Sequence, residues 1–337
     1  MDQKTQPKII SDAAVERIDE RSVRICWETA VQTPVAVYPA TTPDAVTAEK
    51  PAVMSDDGCA RIHGLDPLIR YYFELGAEND RMIVAQRRVK LEGAVNFRDL
   101  GGYETADGRR LKWGRLFRAD GLSRLSDTDL AMLERMGIRR VFDFRTVSEC
   151  EDAPDRLPGN GAVRHIHLPV THGKFDFVEA VKRLKKGDTS WLTPDYMING
   201  YINNLESFPE VWATVIRHAV DTEGQPLVFH CTGGKDRTGT CAALILLVLG
   251  VPEETVIDDH QLSNIYISEL MPKLYKMMSD HGIDPEAIFP YLTAPRDCIV
   301  SVLDYITEHY GTATDYLLRK SSITEAELDR LRMTFLA

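Results

Sequence analysis

No stretch of this 337-residue chain is apolar for long enough to cross a bilayer. The longest such run, CAALILLVLGV at Cys241–Val251, falls well short of the roughly 20 residues a membrane helix needs and predicts a buried helix instead. The opening MDQKTQPKIISDAAVERIDE lacks the apolar core of an export signal, so a cytoplasmic address is the expectation, with a mature secreted form still open. Positive charge is also short: 40 Lys and Arg face 51 Asp and Glu, leaving a net charge of -11. Such a surface repels nucleic acid and anionic lipid on average, so neither is an expected partner. Any site that handles phosphate must be a local positive pocket in a negative field. Cysteine is scarce as well, with six residues at 26, 59, 150, 231, 241 and 298 and no pair at metal-ligand spacing. The expectation is no bound metal, no required cofactor, and buried or free thiols for five of the six.

What is present is an ordinary globular balance, 44% hydrophobic and 27% charged, enough to build a sizeable core. Residues 1–90 read as strands and turns. Val23, Ile25 and Trp27 alternate with polar neighbours, Val35 and Val37 sit between Pro34 and Pro39, and Tyr71, Phe73 and Leu75 follow the turn at Gly64–Pro67. From Leu91 the pattern changes. LSDTDLAMLERMGI predicts a helix capped by Ser126 or Asp127 and stopped at Gly137, and RRVFDFRT, VRHIHLPV and QPLVFH predict short strands. Beyond Pro252 the chain predicts helices, with Gly311 as a stop and Thr324 as a cap. The expected architecture is therefore α/β, a mostly parallel sheet flanked by helices over 91–337, preceded by a small all-β sandwich at 1–90 that could dock a protein partner.

The segment VFHCTGGKDRTGTCAALILL reads as strand, Gly-bearing loop and apolar helix. Such a loop can aim successive N–H groups at one anion, with the helix N-terminus behind them. A thiol at the base of that cup, Cys231, sits in a positive field that favours its thiolate form. Arg237, on the first helical turn, can fork onto two phosphate oxygens. Thr232, Gly233, Gly234 and Lys235 form the cup. Thr238 can hydrogen-bond the sulfur, and His230 can brace the loop. These parts suit phosphoryl transfer to sulfur.

His230 to Thr238 complete an H-C-x5-R-T pattern, which resembles that of the protein tyrosine phosphatase superfamily. NFRDLGG (Asn96–Gly102), GRLFRADGLSRLSD (Gly114–Asp127), VFDFRTVSE (Val141–Glu149) and GKDRTG are similar, in this order, to blocks of the bacterial tyrosine and lipid phosphatase family. GLDPLIRYYFEL resembles a fibronectin type III pattern, with Tyr71 at a tyrosine corner and Trp27 between the sheets. The first resemblance implies hydrolysis of phosphotyrosine or phosphoinositide monoesters through a phosphocysteine. It implies Asp236 as general acid, whereas loop position alone offers Asp176 in THGKFDF, and the two remain alternatives. Lys235 is a candidate for a second substrate phosphate, and Asp143 for a place at the substrate beside Arg145, which pairs with neighbours. FDFVEAVKRLKKGD, with Phe177, Val181 and Leu184 at helical spacing, falls where similar enzymes carry a lid. Arg98, Asp99 and Gly101–Gly102 are expected to fix the fold near the site. Two rival functions are kept: a non-catalytic phosphate-binding adaptor and a sulfurtransferase.

Overall fold

The computed structural model describes residues 8–44, 50–159, 161–171, 177–280 and 282–337. Seven described strands fill the N-terminal part: β1 (Ile10–Asp19), β2 (Ser22–Thr29), β3 (Val35–Ala40), β4 (Val53–Ser55), β5 (Cys59–Ile62), β6 (Tyr72–Ala77) and β7 (Asp80–Ala85). They form two antiparallel sheets, ordered β1-β2-β5 and β4-β3-β6-β7. The inward members of each alternation, among them Ile25, Trp27, Val37, Phe73 and Leu75, meet in one shared core. The Tyr71 hydroxyl accepts the Asp66 amide at 3.3 Å. Cys26 and Cys59 lie directly opposite on β2 and β5 and form a disulfide, with Cα atoms 4.1 Å apart. This corrects the expectation of free thiols: the pairing depends on two strands 33 residues apart meeting in register.

The second part opens with β8 (Arg98–Asp99), β9 (Leu116–Ala119), α1 (Asp127–Arg135), β10 (Arg140–Asp143), α2 (Val147–Asp152) and β11 (Arg164–His167). Next come α3 (Phe177–Lys185), α4 (Pro194–Ser207), α5 (Pro209–Asp221), β12 (Leu227–His230) and α6 (Asp236–Val248). The chain ends in helices α7 (Glu253–Ile267), α8 (Met271–Asp280), α9 (Pro285–Leu292), α10 (Arg296–Tyr310), α11 (Ala313–Lys320) and α12 (Glu325–Phe335). The sheet order is β11-β10-β12-β9-β8, with β11, β10, β12 and β9 parallel and β8 antiparallel at the edge. The sheet is thus mixed and, as expected, mostly parallel, with one antiparallel edge strand. Both faces of its central strands β10, β12 and β9 are covered, which is why these read as mostly apolar runs. Phe142, Leu227 and Phe229 point into one cluster with Trp212 and Leu244, while Val141, Val228 and Phe117 point into another with Leu133 of α1.

The segment that carries Cys231 lies between a central strand and an apolar helix. All four residues of β12 are buried, so the strand runs through the centre of the sheet and delivers His230 to its carboxyl end. Helix α6 is buried from Arg237 to Leu246, as a helix apolar on every side must be. The loop between them is therefore anchored at both ends. The N-terminal strands are fastened to the same sheet: the Val89 amide donates to Phe97 and the Asp99 amide to Arg87. The buried Arg70 guanidinium meets Asp99 at 2.9 Å.

Candidate active site

Between His230 and Asp236 the chain closes into a cup, and its carbonyls show how. The Cys231 carbonyl accepts from His230 Nδ1 at 3.3 Å, and the Thr232 carbonyl accepts the Gly121 amide at 3.0 Å. Asn96 Nδ2 donates to the Gly233 and Gly234 carbonyls at 3.1 and 3.2 Å, and Arg118 Nη2 donates to Gly234 at 2.8 Å. In a trans peptide the N–H points opposite to the C=O, and no described bond here is cis. Four successive carbonyls held from outside therefore turn the amides of Thr232, Gly233, Gly234 and Lys235 inward. None of those four amides donates to another described residue. Cys231 lies at the base of this cup, only 2% exposed.

The Gly234 backbone explains one of the glycines. Its φ is +67°, and a Cβ there would lie 2.5 Å from the Ala119 carbonyl oxygen. Both costs fall on backbone, which cannot swing aside. Gly234→Ala is expected to lower kcat/KM by about 100-fold, the scale of a 1 Å displacement of positioned groups. Steady-state kinetics on folded protein check this; an effect below about threefold would show that the loop tolerates the shift.

Arg237 stands on the first turn of α6, 7% exposed. Its Nη1 and Nη2 donate to Glu149 Oε2 and Oε1 at 2.6 and 2.8 Å. Nη1 also reaches the Phe144 and Val170 carbonyls. Glu149 comes from α2, where Thr146 and Glu149 close a capping box, and it also accepts Thr232 Oγ1 at 2.5 Å. Burial pushes the Glu149 carboxyl up, but the Arg237 fork outweighs it and holds the carboxyl down to about 2. Burial likewise opposes the Arg237 charge, and Glu149 reverses that, raising it above its ordinary value. The result is a guanidinium fixed in one orientation beside the cup.

The loop's outer braces form a buried ionic network. Arg98 Nε and Arg118 Nη1 reach Asp259 at 3.1 and 2.6 Å, and Arg98 also meets Asn96 Oδ1. Burial raises the Asp259 carboxyl, yet the two guanidiniums bring it well below the carboxylate range. Asp120 accepts the Asn96 amide at 2.9 Å and the Val95 amide at 3.2 Å, holding NFRDLGG against β9. Asp99 accepts Gly101 and Gly114 amides, as expected of a fold-fixing residue.

The remaining candidates surround this frame. Asp236 Oδ1 accepts the Tyr201 hydroxyl at 2.8 Å, and its Oδ2 is 3.4 Å from Lys235 Nζ. Lys235 donates to the Tyr291 and Thr293 carbonyls at 2.6 and 2.7 Å, which tie its ammonium to the end of α9. Thr238 Oγ1 is buried and makes no hydrogen bond among the described residues. Asp143 is fully buried with both oxygens taken by Arg145, and reaches the loop only through His230, 3.8 Å away. Asp176 lies outside the described residues. The segment expected to be a lid contains α3, whose Leu184 packs on Met278, Ile283 and Ile288 from the α8–α9 region. Trp191 packs edge-on against Tyr196 and Tyr291, with ring centroids 4.9 and 5.8 Å away, and Tyr291 lies near Asp236 and Arg237. Among the described residues, Asp143, Asp155 and His165 have metal-ligand spacing. There Arg145 already bridges both carboxylates at 2.7 Å, and hydrogen bonds to them push His165 up to about 9, so the charges balance without a cation.

Residues 89–337 match the model of the tyrosine phosphatase family. The chain is 31% identical over 274 residues to the triple specificity protein phosphatase PtpB of Mycobacterium tuberculosis, covering 72% of this chain and 97% of that one. It is 34% identical over 228 residues to a tyrosine-protein phosphatase of Nostoc commune, covering 64% and 72%. The crystal structure of P. aeruginosa TpbA aligns over 48% of this chain and 78% of that one at 19% identity, with a TM-score of 0.26.

Proposed function

Because the chain belongs to the tyrosine phosphatase family, we propose that it releases phosphate through a phosphocysteine formed on Cys231. The observation that carries this is the set of four inward amides, Thr232 to Lys235, around a buried thiol with Arg237 beside them. In the first step the Cys231 sulfur attacks phosphorus as the ester P–O bond breaks. The amides and Arg237 hold the equatorial oxygens while charge redistributes. Asp236 gives its proton to the departing oxygen. In the second step Asp236, now a carboxylate, takes a proton from water as the water oxygen attacks phosphorus. The P–S bond breaks, and inorganic phosphate leaves.

Phosphotyrosine and phosphoinositides are the substrate classes proposed. The relative PtpB is named for triple specificity, which supports looking beyond phosphotyrosine. A second phosphate would meet Lys235 only after its bonds to the Tyr291 and Thr293 carbonyls are released.

The test is phosphate release from phosphotyrosine peptide, phosphothreonine peptide and a phosphoinositide panel, with chelator present, comparing wild type and Cys231→Ser. Chelator-resistant release that is lost in the mutant is the expected result, and the ranking identifies the substrate class. Folded protein that binds phosphate without releasing any would favour an adaptor. Persulfide transfer to cyanide would favour a sulfurtransferase.

A further inference from the structure

Asp236 is held from behind by a run of side chains whose hydrogen positions can be deduced. Its Oδ1 accepts the hydroxyl proton of Tyr201, a fully buried residue of α4. The same hydroxyl oxygen lies 2.8 Å from His260 Nε2 on α7. A hydroxyl has one proton, so an oxygen that has given it to Asp236 can only accept from Nε2. The far side of the imidazole agrees, because Nδ1 faces Gln261 Nε2 at 3.1 Å and an amide nitrogen only donates. The Gln261 amide cannot be flipped: the same nitrogen donates to the Ala294 carbonyl at 3.0 Å, and its Oε1 accepts Asn264 Nδ2 at 3.1 Å. Asn264 is oriented in turn by the Ala294 amide, 2.7 Å from its Oδ1. Every donor therefore points one way, from Gln261 to His260 to Tyr201 to Asp236.

We propose that Tyr201 and His260 are positioning residues that reserve Oδ1 of Asp236 as an acceptor, so that the proton passed to the leaving group is carried on Oδ2. This rests on Asp236 being the general acid. The arrangement requires a neutral imidazole, and burial, with Arg118 opposite, holds His260 down to about 3. A hydroxyl donated to a carboxylate favours its ionised form, which is the form the second step needs. Among the described residues, the other charged or titratable groups near Asp236 include Lys235 beside it, Tyr291 of α9 and Cys298 of α10. Arg118 of β9 faces the Tyr201–His260 pair. Removing the Tyr201 hydroxyl leaves all of these in place.

The experiment is the pH profile of kcat/KM on a phosphothreonine peptide, whose alkoxide leaving group needs the acid, for wild type, Tyr201→Phe, His260→Leu and Asp236→Asn. Without the Tyr201 donor the carboxyl keeps its proton to higher pH, so the basic limb in Tyr201→Phe is expected to move up by about one pH unit. His260→Leu, which keeps the hydroxyl but removes the donor behind it, is expected to move the limb the same way by less. With an activated aryl phosphate neither variant should change kcat/KM more than about threefold. An unmoved or downward-moving limb in folded Tyr201→Phe overturns the proposal while Asp236→Asn still abolishes the limb. If Asp236→Asn keeps the limb, the acid assignment itself fails, and the two failures are thereby distinguished. Nitrogen NMR of the wild type gives an arm independent of variants: His260 should be the neutral Nε2–H tautomer throughout pH 5–9, and an Nδ1–H or doubly protonated ring overturns the proposal.

Discussion

Arg237→Lys is expected to lower kcat/KM by about 10³-fold, even though the charge is kept. In the proposed mechanism Arg237 does two tasks with one planar group: its terminal nitrogens satisfy the buried Glu149 carboxylate at 2.6 and 2.8 Å, and from beside the inward amides it would clamp the phosphoryl group. An ammonium is a point charge with no fork and cannot do both. If it stays on Glu149, the transferring phosphoryl group loses its clamp. If it turns to phosphate, Glu149 is left buried and unpaired within 2.5 Å of the Thr232 hydroxyl. Removing one preorganised transition-state donor costs about 10²–10³ in kcat, and disorder in the remaining loop adds to it. The measurement is kcat/KM on an aryl phosphate together with inhibition by inorganic phosphate. A loss smaller than tenfold would mean that the loop amides alone bind the transition state. The folded-state carboxyl of Glu149 is depressed to about 2. The pair therefore contributes stability above the ordinary carboxylate range and loses it only as pH falls toward that value.

Asp259→Asn is expected to destabilise the protein by about 3–5 kcal/mol, the cost of breaking a buried ion pair on one side. Arg98 and Arg118 are both essentially without solvent contact and both lean on this one carboxylate. Asparagine keeps the shape and removes the charge, leaving two uncompensated guanidiniums in the interior. In a chain of this size each kcal/mol moves the thermal midpoint by about 2–4 °C, so a fall of about 10 °C is the expected reading. Activity measured well below the midpoint should fall as well, since Arg118 is also a donor to Gly234. A change of less than about 1 kcal/mol would show that the two arginines find other partners. Because the Asp259 carboxyl is depressed, its stabilisation is present above the unfolded carboxylate range and disappears only in strong acid.

The cup itself was legible because its parts are neighbours in sequence: a strand, a Gly-bearing turn and a helix bring Cys231 and Arg237 together without help from the rest of the chain. Its supports were not. Glu149 precedes Arg237 by 88 residues, and its local signal, Thr146 three residues earlier, announces a helix cap and nothing more. Arg118 carried a clue, a charged residue inside the apolar strand Leu116–Ala119, since a buried charge must be paired. Its partner Asp259 sits on α7, where a helical pattern says nothing about which strand the helix covers. Tyr201 and His260 had no signal at all, because each looks like a core aromatic until the other is seen beside it. The Lys235 charge was legible but not its direction, which the carbonyls at Tyr291 and Thr293 decide. For the same reason Cys26 and Cys59 were read as separate thiols: the disulfide depends on strand register, and register is a property of the whole sheet.

The outside grip on the loop has a consequence for synthesis on the ribosome. Asn96 and Arg118 are made long before Cys231, but Asp259, the carboxylate between Arg98 and Arg118, comes after Cys231 in the chain, as does His260. A nascent chain that has just exposed its thiol therefore holds the two arginines without their counter-ion and Tyr201 without the imidazole behind it. Contacts of such long sequence separation close late, after their loops have been ordered. The outer braces of the loop are thus complete only once α7, translated after the loop itself, has packed against Arg98 and Arg118.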